Sequence, residues 1–197
     1  MLIWNAGRLE SLRLKAIPMI IRKPESVEYV AYYDRYISLV SGNDILISLE
    51  KQLPETVGLF SARNEREGEF RYAPGKWTVK EVLGHVIDGE RVFAYRALRI
   101  SRGDRTPIEG FEQDDYVRNG PFGHCRLPDL VEEFTHVRKA TLWLFRNLDD
   151  AAWMRRGVAN QNEISVRALA YIIAGHELHH RKILQEEYFA KAQAPVA

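Results

Sequence analysis

Six histidines are the residues of this chain best suited to chemistry, and their spacing sorts them. His176 and His180 are four residues apart, so on a helix they stand one turn above the other. Taking Leu169 as the centre of the surrounding apolar stripe, they fall at about −20° and +20° on the helical wheel. Val166, Ile172, Ile173, Ile183 and Leu184 share that face. Two imidazoles on the most buried line of a helix need partners, because an unpaired buried polar group costs roughly 1–3 kcal/mol. One divalent metal ion satisfies both.

His85 is the main candidate for a third nitrogen. It lies on the flank of its own helical stripe, level with Val82, Gly89 and Val92, where geometry permits ligation without demanding it. Gly89, one turn on, is expected to leave space beside the ring. The other histidines look different. His179 falls at about −80°, on the boundary of the stripe, and His136 lies opposite the apolar face of its helix, so both read as surface residues. His124, beside Gly123 in a polar connection, reads as solvated. Asp88 is one turn from His85, and Glu177 sits at about 80° on the shoulder of the last stripe. Either could orient a ligand ring, and either could equally face water. His176-Glu177-Leu178-His179-His180 also matches H-E-x-x-H, the zinc-peptidase pattern with glutamate as general base. The pattern is short, however, and no predicted strand supplies the substrate-binding edge of such an enzyme.

Three neutral imidazoles would leave the full charge on a divalent ion. With open coordination positions it would act as a Lewis acid, favouring the deprotonated form of a bound water or thiol. Imidazole suits several metals, of which zinc or nickel is expected. A structural zinc site usually has four protein ligands, so an acidic fourth ligand would favour a non-catalytic reading.

These residues need long helices to hold them, and four segments show the helical period with punctuation at their ends. The first runs from about Asn43 to Ser61, with Pro54 expected to kink or break it. The second is capped by Thr78, with Glu81 three residues on forming a capping box, and runs to Ser101 before Gly103. The third starts at Leu127-Pro128 and runs to about Leu148. The fourth is capped by Ser165 and runs to about Phe189. Gly157, Val158 and Ile164 allow at most a small hairpin. The polar connection from Gly103 to Arg126 is long for a loop without structure of its own. Four amphipathic helices and no sustained strand pattern predict an all-α domain, most simply a four-helix bundle.

The chain of 197 residues, 46% of them apolar, is long enough for one well-filled domain. Residues 1–24 read as an N-terminal extension and 25–197 as a single helical-bundle domain. A formal net charge of +1 gives no electrostatic case for a nucleic acid or an anionic membrane, so a small-molecule ligand is expected. No run of about 18 apolar residues occurs, and the single Cys125 calls for no oxidising compartment, so the cytoplasm is the expected location.

Three segments together resemble the DinB/YfiT-like family of bacterial four-helix-bundle proteins, described as metal-dependent enzymes. They are Pro74-Gly-Lys-Trp-Thr-Val-Lys-Glu-Val-Leu-Gly-His85 with Ile87-Asp88, Glu90-Arg-Val-Phe-Ala-Tyr-Arg96, and Ala174-Gly-His176 through His180. The resemblance covers about Tyr32 to Tyr188. It implies that His85, His176 and His180 form one metal site, that Glu177 is incidental to the apparent peptidase motif, and that Pro107 to Tyr116 lies between the second and third helices near the site mouth. It further implies a thiol-dependent S-transferase using a low-molecular-weight thiol such as bacillithiol or mycothiol, with hydrolysis by a metal-bound hydroxide as the alternative, and a homodimer. Cys125 has no part in either reaction, so Cys125→Ser is expected to leave turnover intact in a steady-state assay.

Overall fold

The computed structural model describes residues 20–190, so most of the expected N-terminal extension lies outside the described residues. Of its described part, residues 20–24, Ile21 and Pro24 are buried, and the Ile21 carbonyl accepts from Ile45 N (3.2 Å) and from the Tyr171 hydroxyl (3.0 Å).

In chain order the helices are α1 (Asp34–Ile37), α2 (Ile45–Ser61), α3 (Glu65–Gly68), α4 (Val79–Ser101), α5 (Gln113–Asn119), α6 (Leu127–Arg146), α7 (Asp150–Met154) and α8 (Val166–Ile183). A hairpin of β1 (Arg156–Ala159) and β2 (Asn162–Ser165) precedes α8 and turns through Asn160 and Gln161, both at positive φ. The long helices are α2, α4, α6 and α8, as the apolar periods predict. α2 packs on α6 and α8, and α4 packs on the same two. Helices consecutive among the long four, α2 with α4 and α6 with α8, therefore sit on diagonals rather than side by side.

The predicted caps are present. Thr78 Oγ1 accepts from Glu81 N (3.1 Å) while Thr78 N donates to Glu81 Oε2 (2.6 Å), and Ser165 Oγ accepts from Ala168 N (3.0 Å). Two expectations need correction. α2 starts at Ile45, with Asp44 as its cap, and it runs through Pro54 without a break. Pro54 is exposed, so the Glu50 carbonyl that loses its donor faces water and the cost of the missing bond is small. The last helix changes winding at Leu184, where a π-helical turn carries the chain to Phe189. The short helices α1, α3, α5 and α7 carry too few apolar repeats for periodicity to reveal them.

α8 is buried on nearly every side from Val166 to Glu177, because α1 covers the face that the bundle leaves open. Gly175 makes that contact feasible. A Cβ there would stand 2.1 Å from the Tyr36 carbonyl oxygen, and backbone cannot yield as a flexible side chain can.

The apolar interior falls into two clusters. One gathers Phe93, Ala97 and Ile100 of α4 around the first half of α8; the other gathers Val79 to Ile87 of α4 with Leu127, Leu130 and Phe134 of α6. Between them lies a buried polar waist made of His85 and Glu90 from α4, Gln52 and Thr56 from α2, Arg138 from α6, and His176 with Glu177 from α8. Among the described residues, no helix is long and apolar enough to cross a membrane.

Candidate metal centre

At the waist the Nε2 atoms of three histidines converge. His85 Nε2 lies 3.0 Å from His176 Nε2, and His180 Nε2 lies 3.1 Å from the same atom. Among the described residues these three form the group of side chains able to hold a metal ion, and no carboxylate or thiol joins them. α4 supplies His85, and α8 supplies the other two from successive turns.

The donor set fits a metal better than it fits itself. His176 Nε2 offers either one hydrogen or one lone pair, yet it faces two other ring nitrogens, so hydrogen bonding leaves one of the three rings poorly served. A cation accepts all three lone pairs. Ligand nitrogens about 2.0–2.1 Å from a tetrahedral zinc ion are roughly 3.3 Å apart, close to the 3.0 and 3.1 Å that separate His176 from the other two, and all three atoms lie within 4.8 Å of one another. Electrostatics points the same way. Burial, aided by the charge of nearby His179, pushes the pKa of His85 down to about 4. Burial first, and the neighbouring imidazoles second, also hold His176 and His180 well below the usual histidine value. The rings are neutral at pH 7, with lone pairs available.

Aromatic walls fix the rings. Trp77 lies against His85 with centroids 4.8 Å apart, and Tyr36 presents an edge to His176 at 5.3 Å. Gly89 does not leave a void beside His85, as its position in the sequence suggested; the ring of His176 fills that space. A Cβ at Gly89 would stand 2.9 Å from His176 Cε1 and 3.3 Å from Nδ1. Gly89→Ala should therefore tilt the ring, and metal affinity by competition with a chromogenic chelator should fall roughly 10–100-fold, the range typical of losing a partner that orients a ligand. The helical far-ultraviolet spectrum should be retained.

The remaining candidates separate as follows. His136 and His124 are exposed, as expected. His179 is half-buried rather than a surface residue, edge-on to Tyr36 at 5.4 Å and to His180 at 5.1 Å, because α1 covers that side of α8. Asp88 pairs with Arg91 across one turn (3.4 Å), and burial pushes its carboxyl up despite that partner. Glu177 points away from the histidines. It accepts from Arg138 Nη2 (2.6 Å) and from the Thr56 hydroxyl and is 1% exposed, so it holds neither the peptidase role nor contact with a ligand ring.

Arg138 is not among the residues that the sequence singles out. It is fully buried and forks onto Glu90, with Nε 2.9 Å from Oε1 and Nη2 2.8 Å from Oε2, while its Nη1 donates to the Leu49 carbonyl (3.3 Å). Burial alone would weaken its charge, but the two carboxylates outweigh burial and hold the guanidinium protonated. This ion cluster ties α4, α6 and α8 together one residue from each of Gly89 and His176. Its signal in the sequence was an arginine within a helical segment at a position where the bundle has no exposed face.

Two cavities border the histidines. One, about 400 Å³, is lined by His85 and His176 together with Tyr33, Tyr36 and Phe93; the other, about 370 Å³, is lined by His180, Trp77, Val82 and Tyr188. Asp114, from α5, lines both. The 107–116 connection does lie at the mouth. Phe111 to Asp114 edge the first cavity, and Ile108 is held to the hairpin by bonds to Val158 O (2.9 Å) and from Asn160 N (2.8 Å). A larger cavity of about 470 Å³ around Asn43 to Gln52 holds none of these histidines.

A model of the DinB superfamily matches residues 48–184, a span that includes all three histidines. Among solved structures, YfiT from Bacillus subtilis superposes with a TM-score of 0.67 at 15% identity, covering 87% of this chain and 94% of its own. That protein is described as "a probable metal-dependent hydrolase with an unusual four-helix bundle topology". No curated protein matches the chain by sequence.

Proposed function

Since the chain belongs to the DinB superfamily, we propose that it is a metal-dependent enzyme in which His85, His176 and His180 hold one divalent ion, zinc or nickel, and that it transfers the sulfur of a small thiol to an electrophile. The observation that carries the metal is the convergence of three neutral Nε2 atoms with no carboxylate among them. The observation that favours transfer is the pair of cavities bordering the site, one lined by His85 and His176 and the other by His180, room for two reactants.

When bound, the metal supplies Lewis acidity, which favours the thiolate over the thiol at neutral pH. The protein supplies the rest. Tyr33, Tyr36 and Phe93 wall one reactant and Trp77 and Tyr188 the other. The sulfur forms a bond to the electrophilic carbon as the leaving group departs with its electron pair. Asp114, which borders both cavities, is placed to take the proton that the thiol gives up. Cys125 packs beside the second apolar cluster and lines neither cavity, in keeping with its having no part in the reaction.

Hydrolysis is the second reading, supported by the description of YfiT, and it uses the same histidines with water in place of the thiol. The metal-loaded protein should separate the two in parallel assays, one with cysteine plus monobromobimane and one with 4-nitrophenyl acetate. Metal-dependent conjugation above the uncatalysed rate supports transfer. Metal-dependent ester cleavage without conjugation replaces it with hydrolysis.

A further inference from the structure

Arg96 sits in the wall of the first cavity, on the same face of α4 as His85 and Gly89, seven residues and about 10 Å of helix beyond Gly89. It is 2% exposed, yet no carboxylate among the described residues pairs with it. Its Nη2 donates to the Glu109 carbonyl (2.9 Å), its Nε has no partner, and its guanidinium lies near the rings of Phe93 and Phe111 (5.7 and 5.9 Å to the centroids). The groups that interact most with its charge are the phenols of Tyr33 and Tyr116. Arg138 shows how this fold treats a buried guanidinium that serves structure: it surrounds it with carboxylates. Arg96 has none. A buried cation without a counter-ion is costly, and the cost is recovered when an anion enters the cavity it lines.

We propose that Arg96 is the anchor for a carboxylate of the substrate, holding it with the reactive atom directed at the three-histidine centre. The proposal rests on the metal-site reading for that direction only. One guanidinium matches one negative charge, and the acidic rim made by Glu112 and Asp114 disfavours a phosphate dianion. Arginine side chains on a helix lean toward its N-terminus, here toward His85, so the carboxylate and the reacting atom are roughly 6–9 Å apart. The substrate class is thus a small carboxylic acid with a chain of several atoms between its acid group and its reacting centre.

Hexanoate and hexanamide are nearly equal in size and differ by one negative charge, and they serve as probes by isothermal calorimetry on the chelator-stripped protein, where no metal competes for the carboxylate. The parent should bind hexanoate at least about tenfold more tightly than hexanamide. Arg96→Gln should equalise the two, and Arg96→Lys should restore part of the difference. A merely structural arginine would behave otherwise: Arg96→Gln would then lower the melting temperature, whereas removal of an unpaired buried charge leaves it level or raises it. Equal binding of both probes by the parent, or discrimination surviving in Arg96→Gln, overturns the proposal. The stripped protein keeps the tests separate. If zinc fails to bind at all, the metal reading falls, while discrimination lost only in Arg96→Gln still upholds the anchor.

Discussion

Replacing His176 with alanine is expected to abolish metal binding and turnover while leaving the bundle folded. His176 Nε2 is the central donor, in contact with both other ring nitrogens, so its loss leaves only two ligands, one on each of two helices. Affinity should fall by more than about 100-fold, beyond the 10–100-fold typical of residues that only orient a ligand. The stability readout distinguishes this from simple unfolding. At a metal concentration a hundredfold above Kd, a protein that binds only when folded gains about 2.7 kcal/mol. The parent should show that gain in a urea titration, and His176→Ala should show none. The metal-free forms of the two proteins should unfold at similar urea concentrations.

The second large effect is on stability alone. Arg138→Met removes the guanidinium and leaves Glu90 and Glu177 facing each other in a fully buried layer. Breaking a buried ion pair from one side costs about 3–5 kcal/mol, because the remaining charge has neither water nor partner. Equilibrium urea unfolding of the metal-free variant should show that loss. Replacing all three members with apolar residues of similar volume should cost far less, since the penalty comes from the orphaned carboxylates more than from the absent pair. Unchanged stability in Arg138→Met would mean that water reaches the waist.

The contrast between these residues shows what the sequence could and could not reveal. The long helices were legible because each repeats its apolar face over four turns or more, and the caps Thr78 and Ser165 because their side chains bond within three residues. His176 and His180 were legible for the same local reason, being one turn apart in a single stripe. His85 required family resemblance, because its partner ring comes from a helix 91 residues away in the chain. Arg138 and Arg96 were not legible. Their roles depend on which carboxylates the fold brings near, and on that basis Arg138 is enclosed while Arg96 is left open. Glu177 misleads in the sequence because H-E-x-x-H spacing places it beside two histidines along the chain, whereas an α-helix turns it about 100° from His176 and about 60° from His180. Pro54 shows the limit of a local rule, since the break it predicts vanishes when the affected carbonyl faces water.

The proposed metal centre requires His85, His176 and His180 to bind one ion together. The direct measurement is metal content by mass spectrometry on protein purified without an affinity tag, for the parent and for His85→Ala, His176→Ala and His180→Ala, each checked for folding by circular dichroism. The site geometry predicts one ion per chain in the parent and loss of that ion in every folded variant. A folded parent that carries no metal and takes up none when zinc or nickel is added would contradict it.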